Sequence, residues 1–216
     1  MARYAFIPGT LATFLVNLIP LYGVLSWGWD TFQLLMLYWI ETVVVAFWTI
    51  RRLVRLQSEQ PSETGPGAFS LAGFFTLHAG MFIGVHFIFL WALFSWDWLK
   101  KVHGVGSFFH ELFVAQGVWV ALLGMLILHW LEYLTAPKPK RESGGDGTMP
   151  VVGGLYVRIV IMQIAILGGA WISGFTGSLG PLVIVIVLKA LLDLILGSYG
   201  PLKALVAASA AKERNG

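Results

Sequence analysis

Apolar residues run in six long blocks along this chain, and charged residues gather between them. The blocks cover about 6–27, 31–53, 68–94, 112–134, 155–175 and 181–197, and ~20 apolar residues suffice to cross a hydrocarbon layer about 30 Å thick. The pattern predicts an all-α fold: one transmembrane domain over residues 1–216, a bundle of six membrane-spanning helices. The longest uncharged block is Ala68 to Phe94, and it carries two histidines. At 100° per residue, Gly73, Gly80 and Gly84 fall within about 40° of each other. His78 and His86 fall on the opposite side, about 80° apart. A small-residue face suits close helix approach, and imidazoles should not face lipid. The third helix is therefore expected at the centre of the bundle.

Between the blocks, Trp27, Trp29 and Asp30 mark an interface and a tight turn, and QSEQPSETGPG is rich in turn formers. SWDWLKKVHGVGSFFHE, with Trp96, Trp98, Phe108 and Phe109, reads as a segment lying on the membrane surface. APKPKRESGGDGTMP is a basic, Gly-rich loop, and the tail SYGPLKALVAASAAKERNG starts as a short interfacial helix. Six spans put both termini on one side. That side holds Arg3, Arg51, Arg52, Arg55, Lys138, Lys140, Arg141, Lys203, Lys212 and Arg214, against Lys100 and Lys101 opposite. The bias predicts cytoplasmic termini. Trp27, Trp29, Trp91, Trp96, Trp98 and Trp171 cluster at the other interface.

Composition agrees. The chain is 57% hydrophobic and 12% charged, where soluble domains carry about 25% charged residues. Having no cysteine, it has no disulfide, Cys-ligated zinc, iron–sulfur cluster or thiol nucleophile. The N-terminal apolar run is too long for a signal-peptide core and reads as an uncleaved first helix. The net charge of +3 sits at helix ends, so nucleic acid is not an expected partner. The expected partner is the lipid bilayer, with other membrane subunits or self-association as further options. The helical hairpins share no repeat, so inverted-repeat transporter logic has no support.

The polar residues inside the blocks carry the candidate chemistry. Counted from the cytoplasmic end at ~1.5 Å per residue, Glu41 and Asn17 lie roughly 18 Å deep, His78 roughly 15 Å, Lys189 roughly 13 Å and Gln163 roughly 12 Å. Asp193, His129, Arg158 and Glu132 lie nearer that surface, and His86 lies in the other half. A central charge costs roughly 2.5–3.5 kcal/mol on insertion scales, so these groups should be paired, neutral or wet. Lys189 and Asp193 can pair at i and i+4. Arg158 can serve Glu132 or Asp193, which leaves Glu41 with His78. Against this, buried polar groups often only join helices, and His129, Glu132 and Arg158 are close enough to the interface to snorkel.

Glu41, His78 and His86 are weak candidates for a metal. The two histidines lie ~12 Å apart along the helix axis, too far to chelate one ion. No second histidine-bearing helix matches them for haem, and no cofactor is called for. Ser173-Gly174 lacks a glycine two residues before the serine and a histidine base in the last span, so a membrane serine protease is excluded. Gly144, Gly145 and Gly147 follow no strand and make no nucleotide loop.

Four segments carry a resemblance: YWIETVVVAFWTIRR at Tyr38–Arg52, FFTLHAGMFIGVHFIF at Phe74–Phe89, YVRIVIMQIAILGG at Tyr156–Gly169 and LKALLDLILG at Leu188–Gly197. The pattern resembles a bacterial family of multi-helix integral membrane proteins catalogued as a domain of unknown function. Its marks are a Trp-x-Glu helix, two histidines eight apart, an Arg-containing helix and a Lys-x-x-x-Asp helix. The resemblance implies Glu41, His78, His86, Arg158, Lys189 and Asp193 as the family's polar positions, and the bacterial inner membrane as location. The family pattern has further histidines where this chain has Gln163 and Gly197. The resemblance implies no activity.

Three functions are compatible with this reading. The first is a small transporter or proton/ion-handling protein, with Glu41 and His78 titrating and Lys189 and Asp193 relaying charge. The second is a membrane enzyme using Glu and His as metal ligands or as acid and base on a lipid-like substrate. The third is an accessory subunit whose polar groups are structural.

Overall fold

In the computed structural model, residues 6–59, 68–115, 117–135, 148–176 and 186–187 are described. The elements are α1 (Phe6–Ser26), α2 (Thr31–Glu59), α3 (Ala68–Phe94), α4 (Val105–Phe109), a π-helical turn (His110–Val114), α5 (Val118–Thr135) and α6 (Thr148–Thr176). Thr31–Glu59, Leu71–Phe94, Val118–Thr135 and Val151–Gly168 are each long and apolar enough to cross a membrane. The protein is thus an all-α, multi-pass membrane protein. Most of the expected sixth span, with Lys189, Asp193 and the tail, lies outside the described residues, as does the side chain of Asn17.

Local chemistry sets the helix ends. Gly28 takes φ 70° after α1, a conformation that glycine adopts without the Cβ clash. Asp30 then caps α2: its Oδ1 accepts from the Gln33 N–H at 2.8 Å, while Gln33 Oε1 accepts from the Asp30 N–H at 3.1 Å. This reciprocal pair is a capping box. Asp30 Oδ2 also accepts from the Trp98 indole N–H at 2.8 Å, which ties the segment after α3 to the start of α2. The expected fourth span differs at its start. Residues 110–114 form the π turn, and Gly117 at φ 72° breaks the chain before α5 begins at Val118. α2 differs at its end, running past Leu53 to Glu59, with Arg55 and Glu59 paired one turn apart at 2.8 Å.

The helix at the centre is α2, which corrects the expectation for α3. All residues from Phe32 to Tyr38 are buried, and a helix apolar and covered on every side belongs inside a bundle. It packs against α3, α5 and α6. α2 runs antiparallel to both α3 and α6, and contacts among the three form three levels. Leu53, Ala72 and Val152 meet at the end bearing Arg51, Arg52 and Arg55. Ala46, Ala79, Leu155 and Ile159 meet in the middle. Phe32 to Tyr38, Leu90, Met162 and Ile166 join one large cluster toward the Trp-rich end.

The face of α3 that packs inward is also not the expected one. Ala72, Ala79, His86 and Leu90 are buried, whereas Gly73, Gly80 and Gly84 are exposed with open space around them among the described residues. Alanine permits nearly the same backbone approach as glycine, so two small-residue stripes competed on one helix and α2 took the alanine one. Trp39 secures this contact by donating its indole N–H to the Ile83 carbonyl at 2.9 Å. Outward-facing side chains such as Leu77, Ile88, Leu131 and Val160 are exposed and apolar, as lipid-facing positions require.

Candidate functional site

Three helices converge on one buried carboxylate. α2 supplies Glu41, α5 supplies His129 and Glu132, and α6 supplies Arg158. Because α2 and α5 run parallel, Trp48 stacks on Tyr133 at 4.4 Å one level nearer the Arg-rich end, and this pairing sets their register. Arg52 strengthens the same seam. It donates to the Glu132 carbonyl at 3.1 Å and lies over the Tyr133 ring at 5.7 Å, within cation–π range.

Within the cluster, the His129 ring lies between two carboxylates. Nε2 is 3.1 Å from Glu41 Oε1, and Nδ1 is 2.8 Å from Glu132 Oε2. Arg158 Nη1 donates to the same Glu41 oxygen at 3.4 Å. Exposure is graded along this line: the Glu41 and His129 side chains are 8% and 7% exposed, and Glu132 is 48% exposed. One end is sealed in the bundle and the other reaches the surface.

The proton count follows from the geometry. Both ring nitrogens face carboxylate oxygens, which only accept when ionised. Either the ring is an imidazolium donating twice, or one carboxyl carries the proton and the ring is neutral. One proton therefore has three places to sit, on Glu41, His129 or Glu132.

The expected pairs differ from these. His78 does not meet Glu41. Its ring stacks on Phe74 at 5.5 Å, meets Phe82 at 5.1 Å edge-on and lies 5.7 Å from Tyr156. Aromatic contacts satisfy the ring faces there, at the margin of the packed face of α3. His86 is buried against α2, and its Nδ1–H donates to the Phe82 carbonyl one turn back. Its Nε2 has no partner among the described residues. Arg158 reaches Glu41 in place of Glu132. His129, read as a snorkelling residue, is instead the pivot of the cluster. The spacing held the signal: His129 and Glu132 stand at i and i+3 on one helix face. Depth counted from the end of each apolar block hid it, because α2 stays helical past its block and α5 ends at Thr135.

Among the described residues no three His, Asp or Glu side chains are grouped to hold a metal ion. Glu41, His78 and His86 are not brought together.

The fold and this site define a multi-pass α-helical membrane protein with a buried Glu–His–Arg cluster. A family model described as Family of unknown function (DUF6498) matches residues 3–215, and the chain belongs to that family. No curated protein and no solved structure matches the chain.

Proposed function

We propose that the protein handles protons across or within the membrane, with Glu41, His129 and Glu132 as the titrating relay and Arg158 as counter-charge. The observation that supports this is the graded line of carboxylate, imidazole and carboxylate, sealed at Glu41 and open at Glu132. Chains of Glu and His inside a bundle are the usual chemistry of membrane proton relays. The positive-inside bias supports a cytoplasmic position for the Arg-rich end, and with it Glu132.

The relay works with one mobile proton. It exchanges with water at Glu132 and passes to His129 Nδ1 as the ring becomes an imidazolium. The Nε2–H then passes to Glu41 Oε1, which leaves Glu41 neutral and the ring neutral. Arg158 loses a carboxylate counter-charge in that step, so loading Glu41 weakens the contact between α2 and α6. From the loosened contact Glu41 releases its proton toward the opposite side, and the contact with Arg158 re-forms. A central carboxyl that loads from one side, and loosens a helix contact when loaded so that it unloads to the other, is the coupling element a small proton-linked transporter needs.

Proteoliposomes with an entrapped pH dye test this reading. An imposed pH gradient should drive proton entry through wild type, and Glu41→Gln, His129→Ala and Glu132→Gln should each fall to the level of empty vesicles. Wild-type vesicles that behave as empty ones under a pH gradient would refute it. Variants that conduct normally and only melt earlier would leave the cluster as a structural clamp.

A further inference from the structure

The chain between α3 and α5 carries an apolar surface that the relay does not use. Residues 95–115 fold over the Trp-rich end of the bundle. On their inner side Trp98 is buried between Asp30 and Phe32, Leu112 is buried, and Phe108 packs on Trp91 and Trp98. Their outer side is also apolar. Trp96 is 71% exposed, Val105 75%, Phe109 52% and Val114 57%.

The π turn explains how these residues line up. Val105 and Phe109 are four apart in α4, one above the other. In an ordinary α-helix, Val114 would then swing about 140° away from Phe109. The Ala115 N–H instead bonds the His110 carbonyl at 2.9 Å, an i→i+5 bond. With that wider turn, Val114 swings back toward the side of Phe109 instead of facing away, so it joins Val105 and Phe109 on the exposed side. A π turn is rare and often sits at functional positions; here its effect is to put three exposed apolar side chains on one edge of the segment, beside exposed His110.

We propose that this edge is an interfacial anchor: Val105, Phe109 and Val114 lie in lipid at the level of the acyl–headgroup boundary, and the segment is not a water-exposed loop. Continuity with the lipid faces of the spans carries the choice of occupant. The stripe of these three side chains lies on the segment that joins the end of α3 to the start of α5, and Leu93 and Leu123 near those ends are exposed and apolar. Exposed Trp27, Trp96 and Trp119 ring the same end, at the depth where indoles settle. Charge does not drive the docking. Asp97 and Glu111 balance Lys100 and Lys101, and Lys100 pairs with Asp97 at 3.1 Å on the water side. The anchor should therefore be indifferent to anionic lipid, unlike a polybasic one.

The absence of cysteine makes a clean test possible. Single-cysteine variants Val105→Cys, Phe109→Cys, Val114→Cys, His103→Cys and Asp97→Cys would be spin-labelled and placed in phosphatidylcholine vesicles. Labels at the stripe should be relaxed by oxygen and shielded from a water-soluble nickel chelate, and labels at His103 and Asp97 should show the reverse. Adding phosphatidylglycerol should change neither. Stripe labels as open to nickel as Asp97 would overturn the proposal. Shielding from both reagents would also overturn it, since protein would then cover the stripe. Shielding that appears only with anionic lipid would overturn the apolar account. Because these side chains point outward, substitution leaves the core intact, and a label at buried Leu112, shielded from both reagents, confirms the fold.

Discussion

Glu41 and His129, 88 residues apart in sequence, meet at 3.1 Å between two parallel helices at the buried end of a graded polar line. Removing one partner of a buried ionic pair typically costs about 3–5 kcal/mol, because the other is left uncompensated. The first prediction concerns this pair. Glu41→Leu, which leaves His129 Nε2 without its carboxylate and takes one counter-charge from Arg158, should cost about 3–5 kcal/mol. The double-mutant cycle of Glu41→Gln with His129→Ala should return a coupling of about 1–2 kcal/mol. Thermal unfolding in one detergent, read on both singles and the double, measures it; simple additivity would mean the two groups do not interact.

The glycines give a second prediction, and it contrasts the open glycine face of α3 with a tightly packed glycine of α1. Gly80→Ala should hold or raise stability, since open space surrounds the site and alanine favours helix by about 1 kcal/mol. Gly23→Ala should do the opposite. A Cβ there would come within 2.4 Å of the buried Trp29 ring, and overpacking of this kind costs about 1–3 kcal/mol. If Gly80→Ala proved the more damaging of the two, the alanine face would not be the one that packs.

The third prediction tests the tie across the Trp-rich end. Trp98→Phe keeps the ring between Phe32 and Phe108 and loses only the bond to Asp30 Oδ2, so it should cost about 1 kcal/mol. Trp96→Phe, on an exposed side chain, should leave unfolding unchanged in detergent. Equal shifts for the two would show that the Trp98 indole bond contributes nothing.

A fourth prediction addresses the seam between α2 and α5. Arg52→Lys keeps the charge but lacks the planar fork that stacks and donates together. It should lower stability by about 0.5–1 kcal/mol, the range of an exposed cation–π contact, and Tyr133→Leu should make that loss disappear. Melting of the two singles and the double shows whether the ring and the guanidinium act as one unit.

Much of the architecture could be read along the chain, because a bilayer imposes one rule on every segment that crosses it. Each backbone polar group must be satisfied within the segment, so a long apolar block has to be a helix. The blocks at 6–27 and 68–94 accordingly coincide with α1 and α3, whereas α6 begins at Thr148, ahead of its block. Other boundaries missed where the rule does not apply. Arg55 and Glu59 prolong α2 in the aqueous layer, and the π turn with Gly117 delays α5. The residues of the cluster were harder to read. Glu41 and Arg158 stand out as charges in apolar blocks, but His129 was set aside for His78 because depth along a helix says nothing about direction around a bundle.

By itself, then, the sequence determined a helical membrane protein, the charged end and the aromatic end, and a short set of residues too polar for lipid. Only the tertiary structure decided which of them meet. It put α2 at the centre, turned the glycine stripe of α3 outward and its alanine stripe inward, and brought His129 rather than His78 to Glu41. The physical reason is that insertion depends on the sum of side-chain transfer energies along one segment, which sequence contains. Partner choice depends on close packing between segments, where small residues on two faces of one helix are nearly equivalent until a neighbour fills one of them.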